Sequence, residues 1–249
     1  MIKYTLMIFL IVHILCDFYF QTEKMAAKKA ADFRWVLYHL IVYASVASML
    51  FIIFLPGLEW KYVFCFALFH GIIDIVKFCL CKYFGGTVKF LQKKEKVFLL
   101  DQAAHIMAIL IIVYGMRELD IRNLYRVNVG VFISTFGISE LVFLTWLVKL
   151  LLIHKPVNVL ISSILALYKP AENRQNINGR NAGRYIGTLE RIIMTILISL
   201  GQYSAVGLVL TAKSIARYDR ITKEQDFAEY YLLGTLLSTI CAICISIIF

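Results

Sequence analysis

"YTLMIFLIVHILCDFYFQT", residues 4–22, is an apolar stretch close to the ~20 residues that a helix needs to cross a bilayer. Within it, His13, Asp17 and Gln21 follow one another at intervals of four, which places their side chains on one face of a helix. A charged residue inside a membrane helix is costly unless a partner compensates it. The stretch therefore predicts a membrane helix with one polar stripe, and other segments must supply what Asp17 contacts.

The composition of the whole chain indicates a membrane protein. Its 249 residues are 61% hydrophobic and 17% charged, and the mean hydropathy is +0.77. Soluble domains carry about 25% charged residues. A shorter apolar stretch, 157–168, follows Pro156 and is read as interfacial, re-entrant or the extension of a bent helix. Seven longer apolar runs are visible, over 4–22, 35–56, 60–82, 97–116, 127–153, 186–212 and 228–249. The predicted fold is an all-α polytopic transmembrane bundle of seven or eight membrane helices.

Composition along the chain predicts four parts. A four-helix module covers 1–116, and a connecting membrane helix with a short interfacial or re-entrant segment covers 117–169. A polar basic loop over 170–185 then leads to a two-helix C-terminal membrane module over 186–249.

The formal net charge of +10 is concentrated in loops. The loops at 23–34 and 81–96 are rich in lysine, whereas "PGLEW" (56–60) between them is nearly uncharged. The positive-inside rule then predicts both basic loops on the cytoplasmic side and the N-terminus outside. We expect the positive charge to face anionic membrane lipids and not nucleic acid, and self-association as a homo-oligomer stays open.

Histidine and aspartate form a repeated pattern in the first four predicted helices. Three helices carry a His/Asp pair four residues apart, and the second helix adds a lone histidine. The seven residues are His13, Asp17, His39, His70, Asp74, Asp101 and His105. At about 1.5 Å per residue, all seven fall within roughly 5–15 Å of one membrane face, the predicted cytoplasmic one.

Histidine nitrogen and carboxylate oxygen are ligands of zinc, manganese and iron. A helical bundle can converge such side chains on one site in its core. The pattern therefore predicts one or two divalent ions, with zinc as the first choice and manganese or iron as alternatives. Asp17, Asp74 and Asp101 are also the candidate catalytic residues, since any of them could serve as general base instead of ligand. A purely structural polar network and an ion pathway are the competing interpretations.

Further polar residues are candidates for substrate binding or for support of the ligands. Gln21 extends the first polar stripe, and Lys77 lies one turn after Asp74. Glu140 stands within the apolar run 127–153. The C-terminal module adds Glu190, Arg191, Lys213, Arg217 and Glu229. Lys213 and Arg217 are four apart, which predicts a small cationic face that either pairs with acids at helix ends or binds an anion.

Several motifs resemble an uncharacterised bacterial multi-pass membrane family, catalogued as domain of unknown function 3307. They are "HILCDFYFQT", "HGIIDIVK", "LLDQAAH", "IGTLER", "AKSIAR" and "EYYLLGTLLS". This resemblance implies the bacterial inner membrane and no settled activity. The His/Asp pairs are similar, more loosely, to those of the LexA-regulated membrane-bound metal-dependent hydrolases.

Three functions are compatible with these features. The first is a membrane-embedded metal-dependent hydrolase acting on an anionic or lipid-linked small molecule near the cytoplasmic leaflet. The second is a proton- or ion-coupled transporter, which would need polar groups continuing to both membrane faces. The third is a non-catalytic membrane scaffold whose His/Asp network only ties helices together.

Overall fold

The computed structural model describes residues 2–117, 135–166, 168 and 179–249, and these residues form helices and their connections. The helices are α1 (Ile2–Ile14, continued by a π-helical segment Leu15–Tyr19), α2 (Glu23–Lys29), α3 (Phe33–Phe54), α4 (Trp60–Phe84), α5 (Lys94–Gly115), α6 (Glu140–His154), α7 (Pro156–Leu165), α8 (Gly179–Ser199), α9 (Tyr203–Ile215), α10 (Tyr218–Lys223) and α11 (Gln225–Ile248). The all-α polytopic class is thereby confirmed.

Six segments within the described part of the chain are long and apolar enough to cross a membrane. They are Ile2–Tyr19, Phe33–Phe54, Trp60–Phe84, Lys94–Gly115, Glu140–Leu165 and Gln225–Ile248. Large apolar side chains such as Ile41, Phe64, Ile72 and Ile111 are exposed on these helices. An exposed apolar surface of this kind suits lipid contact, and the chain is accordingly a membrane-like helical protein.

The first four spans, α1, α3, α4 and α5, pack against one another in the first unit. Helices α3 and α5 each contact both α1 and α4, so the four helices form a closed ring. An aromatic cluster fills one end of this ring: the Phe9 ring lies 4.7 Å from that of Phe51 and 5.4 Å from that of Phe66, measured between centroids. Burial of such large side chains is a main stabilising contribution to packing.

Side-chain caps mark the starts of two helices of this bundle, α2 and α3. The Thr22 hydroxyl accepts a hydrogen bond of 3.1 Å from the Met25 N–H at the start of α2. The Asp32 carboxylate accepts one of 2.9 Å from the Arg34 N–H at the start of α3. Each cap satisfies an N–H group that has no partner inside its helix. Helix α2 is thus a separate short helix, and it packs against α3.

The apolar run 186–212 is two helices in the structure and not one. Gly201 adopts a φ of +70°, a left-handed conformation that glycine reaches without strain. Its N–H bonds the Ile198 carbonyl, and the Gln202 N–H bonds the Leu197 carbonyl, which is the hydrogen-bond pattern of a Schellman helix end. Helix α9 has only 13 residues, about 20 Å of helix against a hydrocarbon core of about 30 Å.

The stretch after Pro156 continues a preceding helix. Helices α6 and α7 follow one another directly, and together they make the candidate span Glu140–Leu165. Proline has no N–H and therefore interrupts the hydrogen-bond ladder at this point. Residues 157–165 thus extend a helix that is interrupted at Pro156, and the interfacial and re-entrant interpretations of 157–168 stay predictions.

The residues group into two compact units, 1–148 and 149–249. The first contains α1–α5 and the larger part of α6. In the second, α8 packs against α9 and α11, and α11 also contacts α7 and α10. The four-part division drawn from the sequence stays a prediction, and much of its 117–169 and 170–185 parts lies outside the described residues.

Candidate metal centre

Seven buried histidine and aspartate side chains meet inside the first unit. Each is at most 7% exposed, and four helices supply them. We call this set the His/Asp cluster: His13 and Asp17 from α1 and its π-helical segment, His39 from α3, His70 and Asp74 from α4, and Asp101 and His105 from α5. The structure brings together all seven residues that the sequence selected.

A π-helical turn carries Asp17 towards the other helices. The segment Leu15–Tyr19 is wound as a π-helix, and the Phe20 N–H bonds the Leu15 carbonyl at 2.9 Å, an i→i+5 hydrogen bond. Such turns occur often at functional sites. The helix ends soon afterwards, so Gln21 lies beyond it in a bend and does not continue the stripe. Its buried Oε1 has no hydrogen-bond partner among the described residues.

Four ligand-type atoms form the tightest part of the cluster. His39 Nε2 lies 3.1 Å from His70 Nε2 and 3.4 Å from both Asp17 Oδ1 and Asp74 Oδ2. His70 Nε2 is also 3.4 Å from Asp74 Oδ2. A tetrahedral ion with bonds of about 2.0–2.1 Å has ligand atoms about 3.3 Å apart. The spacing therefore matches a ligand set, even though the atoms come from three different helices.

The cluster contains three overlapping groups whose ligand atoms lie within 4.8 Å of one another. One is formed by His13, His70 and His105, another by Asp17, His39 and His70, and a third by Asp74, Asp101 and His105. Every member of the cluster belongs to at least one group. His70 and His105 each belong to two, so the groups are neighbours within one pocket.

Tyr43 supports the cluster and was not selected from the sequence. Its hydroxyl lies 3.1 Å from His13 Nδ1, and its ring stacks on His70 at 3.6 Å between centroids and 8° between planes. A hydrogen bond on one ring nitrogen fixes the orientation of the other. The sequence does carry one indication of this role: Tyr43 lies four residues after His39 and therefore on the same face of α3.

Gln102 also contacts the cluster, although it follows Asp101 directly in the sequence and therefore points about 100° away from it around the helix. Its Nε2 donates to Asp17 Oδ2 at 3.1 Å and to Asp101 Oδ2 at 3.3 Å. It therefore connects α5 to the π-helical segment. A carboxylate oxygen held by an amide leaves the other oxygen of the same carboxylate available for a different partner.

Two lysines form ion pairs with the cluster. Lys77, a predicted candidate, lies 2.7 Å from Asp101 Oδ2 and 3.9 Å from Asp74 Oδ1. Lys29, from α2, was not selected, and its Nζ lies 2.9 Å from Asp74 Oδ2. With neutral histidines, three aspartates and these two lysines carry a formal charge of −3 + 2 = −1. The Lys29 side chain is 11% exposed and that of Lys77 is 32% exposed, so both lie at the edge of the pocket.

The remaining candidates lie outside the cluster. Glu140 is the first residue of α6, where an acid suits the positive end of the helix dipole, and it is not in the middle of a helix as expected. Helix α9 ends at Ile215, so Arg217 does not share a helical face with Lys213. Lys213 instead pairs with Glu190 at 2.6 Å. Glu229 accepts a hydrogen bond from the Gln225 side chain.

Arg191 is 2% exposed and holds together several helices of the second unit. Its guanidinium donates to the side chain of Asn158 at 2.7 Å, to that of Ser238 at 3.2 Å and to that of Thr188 at 3.3 Å. It also donates to the Ile153 carbonyl at 3.4 Å, near the break between α6 and α7. Cations are favourable at the C-terminal end of a helix, so these contacts indicate a structural role at the break.

Comparison with known proteins gives a family and no activity. A sequence family described as "Protein of unknown function (DUF3307)" matches residues 5–131, which include the whole His/Asp cluster. No curated protein and no solved structure matches the chain. The looser likeness to metal-dependent hydrolases therefore finds no support in these comparisons. Because the match covers 127 of 249 residues, just over half, the chain belongs to this family of unknown function.

Proposed function

We propose that this protein is a membrane-embedded metalloenzyme, a metal-dependent hydrolase acting on a lipid-linked or phosphorylated substrate near the cytoplasmic leaflet. The observation that carries the proposal is the tight set of four atoms from Asp17, His39, His70 and Asp74, in which four of the six pairwise distances are 3.1–3.4 Å. Their burial also supports it, because buried carboxylates need a cation or strong hydrogen bonds.

Asp17, His39 and His70 are the proposed ligands of the ion, and Asp74 is the proposed general base. Asp74 Oδ2 is already held by Lys29 at 2.9 Å, yet it stays 3.4 Å from both histidine nitrogens. Catalytic zinc sites characteristically keep three protein ligands and leave one position for water or substrate. Two histidines and one carboxylate suit zinc, and manganese and iron accept the same ligands.

A divalent ion bound there would polarise a water molecule and a substrate oxygen. Asp74 would take the proton from the water, and its contact with Lys29 would hold the carboxylate in position. Gln102, bonded to Asp17 Oδ2, would keep that carboxylate oriented towards the ion. These roles follow from the contacts of each side chain and need no movement of the helices.

The charges at the edge of the pocket favour an anionic substrate. Lys29 and Lys77 both present ammonium groups beside the cluster. Lys77 is the more exposed of the two, so it is the proposed contact for a phosphate group of the substrate. A substrate attached to a lipid would reach this site from the membrane, because the surrounding helices present apolar outer faces.

Metal analysis tests the first part of the proposal. Protein purified in mild detergent and loaded with Zn²⁺, Mn²⁺ or Fe²⁺ is expected to retain a divalent ion after desalting, as measured by inductively coupled plasma mass spectrometry. His39→Ala should lose the ion held by the tight set, because it removes the atom common to three of the four short distances. His154→Ala, which changes a histidine outside the cluster, is the matched control. Wild-type protein that retains none of the three metals would refute the proposal.

Hydrolysis by the Asp74→Asn variant tests the second part. If Asp74 is the base and not a ligand, the Asp74→Asn variant should keep the ion. Its kcat should fall about 10²- to 10⁴-fold. The probes are 4-nitrophenyl phosphate and bis(4-nitrophenyl) phosphate, followed by release of nitrophenol. Equal turnover by wild type and variant would contradict the role of Asp74, and the absence of turnover on both probes would contradict a phosphate hydrolase.

A non-catalytic scaffold is the second candidate, and the two lysine ion pairs favour it. Lys29 and Lys77 each neutralise one aspartate of the cluster without any metal ion. If the cluster were only structural, chelator treatment would leave the thermal unfolding temperature unchanged, whereas Asp74→Asn would lower it. A chelator-dependent fall in the unfolding temperature of the wild-type protein would exclude this candidate.

A further inference from the structure

We infer that the pocket holds a second divalent ion, bound by His13, Asp101 and His105, so that the centre is binuclear and suited to phosphate esters. This inference rests on the proposed function, since the first ion shares the pocket. None of these three residues belongs to the tight four-atom set. Together they supply two imidazole nitrogens and one carboxylate oxygen, a donor set that suits zinc, manganese or iron.

Each of the three residues offers a buried atom that makes no hydrogen bond within the described part of the chain. His13 Nε2, His105 Nε2 and Asp101 Oδ1 are buried and make no hydrogen bond to any described residue. Their residues are 3%, 2% and 7% exposed, respectively. A buried polar atom without a hydrogen bond destabilises the fold, and such an atom in a native structure calls for an explanation. Three of them in one pocket are explained together by one bound cation.

His105 lies close to each of the other two residues. The His13 and His105 rings lie 5.0 Å apart between centroids, and His105 Nε2 is 3.6 Å from Asp101 Oδ1. His13 and His105 also belong to one of the groups whose ligand atoms lie within 4.8 Å of one another. The group of His13 and His105 is completed by His70, and that of Asp101 and His105 by Asp74, so His105 is the residue that joins the proposed ligands.

Other contacts leave these atoms free to bind. The Tyr43 hydroxyl bonds His13 Nδ1 at 3.1 Å, which leaves Nε2 for the ion. Lys77 and Gln102 both bond Asp101 Oδ2, which leaves Oδ1. A metal ligand is usually oriented by a hydrogen bond to the nitrogen or oxygen of its side chain that does not bind the metal.

The two ion positions are neighbours. The His70 ring stacks on that of His105 at 4.3 Å between centroids, and His70 belongs to the tight set. Asp74 shares a close group with Asp101 and His105, while its Oδ2 faces His39 and His70. Asp74 thus contacts residues of both proposed ligand sets, and from there it would serve as general base for the water that the ions would activate. Paired ions in hydrolytic sites are about 3.5–4 Å apart.

The charge balance indicates the substrate class. Two divalent ions change the formal charge of the pocket from −1 to −1 + 4 = +3. A pocket of this charge binds a multiply charged anion, and a pair of ions stabilises both the attacking and the leaving oxygen of a phosphate ester. Hydrolysis adds water across the ester: a P–O bond forms to the water oxygen, the P–O bond to the alcohol breaks, and the alcohol leaves with a proton.

Cobalt titration tests the second ion. Detergent-purified, metal-free protein is titrated with Co²⁺ under anaerobic conditions, and bound equivalents are read from visible absorption and from mass spectrometry. Wild type and the His154→Ala control are expected to bind two equivalents. His13→Ala and the conservative Asp101→Asn should each bind one equivalent and keep the absorption of the first. Circular dichroism verifies that each variant retains its helices.

Tyr43→Phe provides a test that does not remove a ligand. The ring and its stacking on His70 are retained, and only the hydroxyl bonded to His13 is lost. We expect the second Co²⁺ equivalent to bind about 10- to 100-fold more weakly, with the first unchanged. An equal effect on both equivalents, or no effect, would contradict the assignment of His13 to the second ion.

The outcomes separate this inference from the proposed function. One equivalent in wild type, unaffected by His13→Ala, would overturn the second ion and leave the first in place. Two equivalents in both wild type and His13→Ala would also overturn it, because the second ion would then be bound elsewhere. No bound metal in any protein would refute both.

Discussion

Lys29 forms an ion pair with an aspartate oxygen of the tight set. Its ammonium group is 2.9 Å from Asp74 Oδ2, the oxygen that also faces His39 and His70. An ion in the tight set would lie close to this ammonium group, and the two positive charges would repel each other. We therefore expect Lys29 to stabilise the bundle without metal and to weaken binding of the proposed ion.

Lys29→Met tests this dual role. In the presence of chelator, the variant is expected to lose about 3 kcal/mol of unfolding free energy, because removal of one partner leaves a buried charge unpaired. With Zn²⁺ added, its affinity should rise roughly tenfold or more, because the repelling charge is gone. Thermal unfolding and competition with a chromogenic chelator measure the two effects. Lys24→Met, on the exposed face of the same helix, is the control, and an equal response in both variants would contradict the role of Lys29.

The individual residues of the centre were predictable to different degrees. The seven His/Asp residues stand out because their four-residue spacing repeats along apolar segments, and the structure brings them into one pocket. Their role as metal ligands stays a proposal. Tyr43 and Lys29 were missed, because each acts on a residue of another helix and its own sequence neighbours carry no sign of that contact.

At the scale of elements, the second unit depends on how closely α8 approaches the break between α6 and α7. Arg191 reaches across to the Ile153 carbonyl and the Asn158 side chain. A Cβ added at Gly187 would lie 3.3 Å from Arg191 Nη1, whereas one added at Gly183 would meet nothing within 4 Å. The absence of a side chain at Gly187 therefore leaves room for the guanidinium.

Gly187→Ala and Gly183→Ala form a matched pair within α8. Alanine in place of glycine stabilises an unobstructed helix by roughly 0.8–1 kcal/mol, so Gly183→Ala should raise the unfolding temperature. Gly187→Ala should fail to do so, or should lower it, because Arg191 is held by four hydrogen bonds and cannot give way freely. Thermal unfolding in detergent measures both. An equal rise in the two variants would show that the contact with Arg191 is unimportant.

Helix boundaries were harder to predict than helices. Hydropathy alone predicts one continuous run over 186–212, because the mean hydropathy of an apolar segment is the same whether or not the backbone turns within it. The turn depends on a single left-handed residue, Gly201, and on two hydrogen bonds that close the end of α8. The apolar run 127–153 likewise predicts Glu140 inside a helix, because hydropathy does not show where a helix begins. In the structure, Glu140 is the first residue of α6.

For the whole molecule, the distribution of lysines predicts orientation. The loops at 23–34 and 81–96 are basic and should lie inside, with the N-terminus and the loop around Gly57 outside. Reporter fusions test this arrangement. Alkaline phosphatase fused after Gly57 should be active, and green fluorescent protein fused after Lys89 should fluoresce. The reverse pattern would place the His/Asp cluster towards the outer face, and the proposed cytoplasmic substrate would have to be abandoned.

The sequence by itself determined the membrane-helical class and the presence of His/Asp pairs on successive helices. Both depend on local properties, since hydropathy is summed along a segment and helical periodicity relates residues four apart. Only the tertiary structure decided which atoms meet: His39 Nε2 beside His70 Nε2, Lys29 on Asp74, and the Tyr43 hydroxyl on His13. These contacts depend on the rotation and separation of packed helices, which no single segment encodes.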